Sequence, residues 1–273
     1  MNLIREMLSY PFLVRALAGG MMVSLCASLL GVSLVLRRYS MIGDGLSHVS
    51  FGALSIALAM GWSPLKISIP VVVLAAFFLL RITENSRIKS DAAIALISAS
   101  ALALGIIVTS LTTGMTTDVS SYMFGSILAM SREDVVLSVV LSLVVLGLFV
   151  ICYNRIFAVT FDENFAKATG VNVGRYNIII AVLTAVTIVL GMRMMGAMLI
   201  SSLVIFPCLS SMRVFKSFGG VMVSSGILSL ACFFAGMVAS YQFSIPAGAS
   251  VVGVNLCAFL LFMAWQSLGR LRG

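Results

Sequence analysis

Apolar runs of about twenty residues recur from one end of this chain to the other, and a run of that length spans the hydrocarbon of a bilayer as a helix. "ISIPVVVLAAFFLL" (67–80) is typical: it is continuous rather than alternating, so it reads as a helix and not as a strand of a membrane barrel. Of the 273 residues, 61% are hydrophobic and 10% charged, whereas soluble domains carry about a quarter charged residues. The chain reads as an all-α integral membrane protein, a polytopic helical bundle forming one domain over 1–273. Water-soluble classes drop out.

Spanning segments are expected near 13–36, 43–61, 64–81, 91–112, 134–152, 176–192, 195–212, 218–240 and 249–267, a bundle of eight or nine transmembrane helices. The seventh and eighth are the least distinct, because Pro207 interrupts one and the link between them is short. A proline at membrane depth frees a carbonyl that only neighbouring protein satisfies, which favours a place inside the bundle. Segment four, "DAAIALISASALALGIIV", is full of Ala, Ser and Gly. Close packing of small residues holds helices together in lipid, so this segment belongs at a crowded helix–helix contact.

The formal charge of +8 does not point to nucleic acid, because the basic residues form no run or patch and sit at the ends of apolar segments. They orient the chain instead. With the 37–42 link cytoplasmic and nine segments alternating, the inside holds Arg37, Arg38, Arg81, Arg87, Lys89, Arg155, Lys167, Arg175, Arg213, Lys216, Arg270 and Arg272. The outside holds Arg5, Arg15, Lys66, Arg132 and Arg193, so the split is 12 against 5 of the 17. The N-terminus then lies outside, where residues 1–16 as an interfacial amphipathic helix would ease Arg5 and Arg15. Two longer polar stretches result: an external loop over 111–134 and a cytoplasmic connection over 153–177. The second carries Phe157, Phe161 and Phe165, which suit a short helix on the membrane face or docked into a partner, or else a loop capping the bundle.

"MIGDGLSHVS" (41–50) holds the only histidine. Asp44 and His48 are four apart and so share one helix face. Ionisable groups in a membrane segment usually face a cavity, a partner or a substrate path. A carboxylate and an imidazole at that spacing can both ligate a divalent metal, or Asp44 can simply orient His48 in a hydrogen-bonded pair. Two ligands do not close a site. A symmetric dimer would supply Asp, His, Asp, His around one ion. The five cysteines are scattered without metal-ligand spacing, and the seventeen methionines read as packing and lipid-facing residues. No zinc-protease helix, nucleophile elbow or phosphate-cradling loop is present, so the chain is expected to be non-catalytic. If ATP energises transport, another chain hydrolyses it.

Five stretches together resemble the membrane permease subunit of bacterial ABC importers for zinc and manganese. They are "VLRRYSMIGDGLSHVSFGALSIAL", "SYMFGSILAMSREDV", "FDENFAKATGVNVGRYN", "GAMLISSLVIFPCLSSM" and "YQFSIPAGASVVGV", and they run in order over nearly the whole chain. The resemblance implies a fold related to the vitamin B12 and siderophore permeases, in the bacterial cytoplasmic membrane. It implies a homodimer docked on cytoplasmic ATP-binding subunits and fed by an extracytoplasmic metal-binding protein. Asp44 and His48 fall on that family's metal-coordinating pair; Phe161, Asp162, Phe165, Ala166 and Gly170 fall where it contacts its ATPase, with Thr169 where leucine is commoner. No permanent cofactor is implied, only transported Zn2+ or Mn2+. Two carboxylates and two imidazoles suit tetrahedral zinc and, with added waters, manganese as well. The "LSHVSF" wording resembles the zinc members more, which puts zinc first, manganese next and ferrous iron last. A proton-driven secondary transporter using Asp44 and His48 as a relay is the alternative of another class, and a structural subunit without a path of its own is a third.

Overall fold

All nine apolar segments fold as helices, because in lipid each backbone donor and acceptor must find its partner within the segment. The computed structural model describes residues 6–7, 9–85, 90–112 and 132–271, and among these no strand occurs. The helices are α1 (Pro11–Leu36), α2 (Ile42–Ala59), α3 (Pro64–Asn85), α4 (Ser90–Leu111), α5 (Arg132–Ile151), α6 (Tyr153–Phe161), α7 (Glu163–Ala168), α8 (Val173–Met195), α9 (Ala197–Ser211), α10 (Phe218–Phe243) and α11 (Ala247–Leu271). The expected external loop over 111–134 falls largely outside the described residues.

Local chemistry sets the ends. Pro11 opens α1 at a position where its missing N–H costs nothing. Asn172 caps α8 by accepting from Arg175 N at 3.2 Å, and Ser217 caps α10 by accepting from Gly220 N at 3.2 Å. Gly196, at φ 89°, is the single residue between α8 and α9. Pro207 is buried within α9, as its place in the sequence led one to expect.

Length and apolarity qualify six helices to cross a membrane: α1, α2, α4, α8, α10 and α11. A seventh span results if α5 and α6, bent 69° at their junction, are one broken element. The apolar part of α3 (Leu65–Leu79) and the whole of α9 are shorter. By this measure six or seven spans are found among the described residues, so the eight or nine expected are not all met by length and apolarity there. The Gly196 turn leaves α9 only fifteen residues.

Around the middle of the bundle, α1 packs against α5, α8, α9 and α10, while α8 packs against α1, α2, α3 and α9. On one flank α2 lies between α3 and α4, and on the other α11 covers α9 and α10. The contact expected of segment four is the one between α2 and α4. A Cβ on Gly52 would sit 2.7 Å from the carbonyl oxygen of Ala101, so only glycine permits that approach. Serine pairs join α1 to α10: Ser24 Oγ lies 2.6 Å from Ser229 Oγ, and Ser229 Oγ donates to Ser24 O at 3.0 Å. These are buried interhelical hydrogen bonds of the kind that lipid-embedded bundles use.

Candidate metal centre and coupling face

The polypeptide between α1 and α2 is a tight turn. Tyr39 N donates to Leu34 O at 2.8 Å, Ile42 N to Tyr39 O at 3.1 Å and Gly45 N to Met41 O at 3.1 Å. Arg38 takes φ 62° to make it. Asp44 therefore lies in the first turn of α2, where the helix N-terminus favours a negative charge. Its backbone carbonyl accepts from Ser47 Oγ at 2.7 Å, leaving the carboxylate for other partners.

Asp44 Oδ2 and His48 Nε2 are 3.6 Å apart. A Cβ on Gly43 would lie 3.7 Å from Ser201 Cα on α9, and one on Gly45 would lie 2.5 Å from Ile94 on α4. At about 100° per residue, Asp44 and His48 point between those two directions. Their face thus opens between α9 and α4, level with the middle of α9 rather than beyond its end. Along the first three turns of α2 every other side chain is buried. The pair alone stays partly open, with side-chain exposures of 45% for Asp44 and 21% for His48. His48 Nδ1 is buried, and among the described residues no group hydrogen-bonds it. Among the described residues, no cluster of three or more His, Cys, Asp and Glu side chains forms. One copy of this chain offers two donors at this place.

At the end of the bundle that holds the α1–α2 turn, the 153–177 connection folds as two short helices, α6 and α7, not one. They carry a small core of their own, in which Val159, Ala166, Val171 and Val173 pack together. Asp162 caps α7, its Oδ1 accepting from Asn164 N at 2.9 Å and Phe165 N at 3.0 Å. Gly170 takes φ 80° in the turn that follows. Of the five residues expected at a coupling contact, Phe161 and Phe165 project outward, at 60% and 63% exposure. Asp162 and Gly170 shape the chain, and Ala166 supports α7 from within. Phe218 of α10 joins this group, its ring 5.0 Å from that of Phe157 and 5.9 Å from that of Phe161. Nothing local in the sequence ties Phe218 to residues sixty positions earlier. Arg37 is likewise bound into this end: its Nη1 donates to Asn177 Oδ1 at 2.8 Å, and its Nη2 pairs with Glu163.

The described residues thus form a helical membrane bundle with an acid–imidazole pair on an inner helix and an aromatic face at one end. The model of the ABC 3 transport family matches residues 9–266, and the chain belongs to that family. It is 26% identical over 254 residues to a Haemophilus influenzae protein named "High-affinity zinc uptake system membrane protein ZnuB", covering 93% of this chain and 96% of that one. It is 29% identical over 258 residues to the Streptococcus gordonii "Manganese import system permease protein ScaB", covering 94% and 92%. Among solved structures, PsaBC from Streptococcus pneumoniae in complex with Fab matches at TM-score 0.85 and 30% identity, covering 96% of this chain and 94% of that one.

Proposed function

We propose that this chain is the membrane-spanning subunit of an ATP-driven importer of divalent metal ions, and that Asp44 and His48 bind the ion in passage. The observation that carries the reading is the pair itself: two donors 3.6 Å apart on the one opening in an otherwise buried stretch of α2. Two such pairs from a homodimer supply two carboxylates and two imidazoles, a set that suits tetrahedral Zn2+. The ion is cargo, so the site must release it as well as hold it. Metal-bound imidazoles ordinarily anchor their second nitrogen to a neighbour. His48 Nδ1 lacks such an anchor among the described residues, which fits a site assembled in one state of the cycle and dismantled in the next. In this reading all nine long helices cross the membrane, α3 and α9 as the short ones. Cytoplasmic ATP-binding subunits hydrolyse ATP, and an extracytoplasmic metal-binding protein delivers the ion.

ATP-driven uptake by the complex reconstituted in vesicles tests this. Uptake is expected to require ATP and to survive collapse of the proton gradient; uptake that persists without ATP overturns it. Zn2+ is the expected preferred cargo from the donor set. Relatives named for zinc and for manganese make the competition assay decisive, and Mn2+ outcompeting Zn2+ at equal concentration overturns the zinc assignment alone.

The aromatic face is the proposed ATPase dock. Central aromatic anchors each contribute about 2 kcal/mol or more to an interface. Phe161→Asp or Phe165→Asp should therefore weaken ATPase association by at least about tenfold. Co-purification at wild-type stoichiometry and titrated affinity would contradict it.

A further inference from the structure

Arg37, Glu163 and Asn177 come from three separate elements and meet at one point. The Arg37 side chain is only 10% exposed, and its two terminal nitrogens are divided between Asn177 Oδ1 and the Glu163 carboxylate. Asn177 Nδ2 donates in turn to Glu163 Oε1 at 3.5 Å. The guanidinium carbon lies 5.8 Å from the centre of the Tyr39 ring, which confines it on a further side. This is a part-buried, charge-assisted cluster rather than a solvated surface pair, so losing one member leaves another charge poorly satisfied.

The three members differ in what holds them. Asn177 is buried at 4% exposure in α8, part of the central frame. Glu163 begins α7, the six-residue helix beside the outward-facing Phe161 and Phe165. Its carboxylate is not needed to cap that helix, because Asp162 already accepts both amide hydrogens there. Arg37 ends α1 and leads, through the hydrogen-bonded 39–42 turn, to Asp44 seven residues on. Two arrangements are chemically defined: Arg37 held by Asn177 and Glu163 together, or by Asn177 alone once α7 shifts. Shifts of about 1–2 Å in a docked helix are ordinary in transporters and switches, and they suffice to separate an ion pair.

We propose that the Arg37–Glu163–Asn177 cluster is a clasp that couples displacement of α7 to α2, with Arg37 and Glu163 as positioning residues for the Asp44–His48 pair. The inference rests on the reading of α6–α7 as the ATPase dock and of the pair as the ion site. It adds the connection between them: an ATPase that moves α7 pulls or frees Arg37, and the rigid turn carries that motion to the start of α2. Coupling becomes a matter of one ion pair being made or broken, which can be tested directly.

The full complex in proteoliposomes, assayed for Zn2+ uptake and ATP hydrolysis on the same vesicles, provides the test. Glu163→Gln and Arg37→Gln should each lower the number of ions moved per ATP by about tenfold, with hydrolysis and assembly within about twofold of wild type. The charge exchange, Arg37→Glu with Glu163→Arg, should recover at least about half of the lost ratio, because the Asn177 amide can donate as well as accept. An unchanged ratio in the single variants overturns the proposal. So does a parallel fall in uptake, hydrolysis and assembly, the pattern of a merely structural ion pair, or a charge exchange no better than the singles. Failure of the underlying reading registers elsewhere, in an intact Asp44→Ala complex that still transports or a Phe165→Asp complex that still binds its ATPase.

Discussion

Asp44→Ala and His48→Ala are each expected to reduce ATP-driven Zn2+ uptake at subsaturating metal by on the order of a hundredfold or more, since even residues that only orient metal ligands are worth about 10–100-fold. In the proposed dimer each substitution removes two of four donors at once. Losing Asp44 also removes the negative charge that compensates the dication, and losing His48 removes the donors that favour zinc over harder ions. The Asp44→Ala/His48→Ala double variant should be little worse than either single variant, because the four donors act as one unit and the first loss already dismantles it. The same substitutions should leave the fold alone. Asp44 is half-exposed, and the two side chains face each other rather than a buried polar network. Among the described residues His48 has no partner for Nδ1 that its removal would strand. Thermal stability is expected to change by no more than about 1 kcal/mol. Uptake and stability therefore separate. A stable, well-expressed variant that transports at the wild-type rate removes the metal assignment.

The pair was legible because its geometry is local: four residues along one helix fix the facing of Asp44 and His48 whatever the rest of the chain does. The helices were legible for a similar reason, since each apolar run must satisfy its own backbone. The exact boundaries were less so. "GMRMMGAMLI" places a break between the expected segments 176–192 and 195–212, but the turn sits at Gly196, at φ 89°, which carries α8 on to Met195 and leaves α9 short. Phe157, Phe161 and Phe165 suited either a short helix or a loop capping the bundle, and the break at Asp162 that makes two helices of the connection depends on an extended residue, at φ −151°, capping its own successor. Least visible were contacts between distant positions. Arg37 reads in the sequence as one more cytoplasmic cation, and its partners Glu163 and Asn177 lie 126 and 140 residues away. Phe218, at the head of α10, gives no local sign that it sits among the rings of α6.

Distant contacts also set the second large effect. At Gly31, α1 passes so close to α9 that an added Cβ would lie 2.1 Å from the carbonyl oxygen of Val204 and 2.9 Å from its carbonyl carbon. Those are backbone atoms, and no side-chain rotation can make room. Even Gly31→Ala must drive the two helices apart, and Gly31→Leu must do so by far more. Overpacking of this kind costs about 1–3 kcal/mol in soluble cores, and more where the obstacle cannot move. In lipid the loss is compounded, because close approach at small residues is itself the source of helix association. Gly31→Leu is therefore expected to lower stability by about 3 kcal/mol or more, seen as a large drop in Tm of the purified protein in detergent or as its absence from the membrane. Gly147 on α5 is the matched control: nothing stands within 4 Å of a Cβ built there. Gly147→Ala should be neutral or slightly stabilising, since alanine favours helix over glycine by about 1 kcal/mol. Equal effects of alanine at 31 and at 147 would mean that α1 and α9 do not meet at Gly31. The α8–α9 turn and the start of α2 would then lose their shared reference, and with it the position of Asp44 beside the middle of α9.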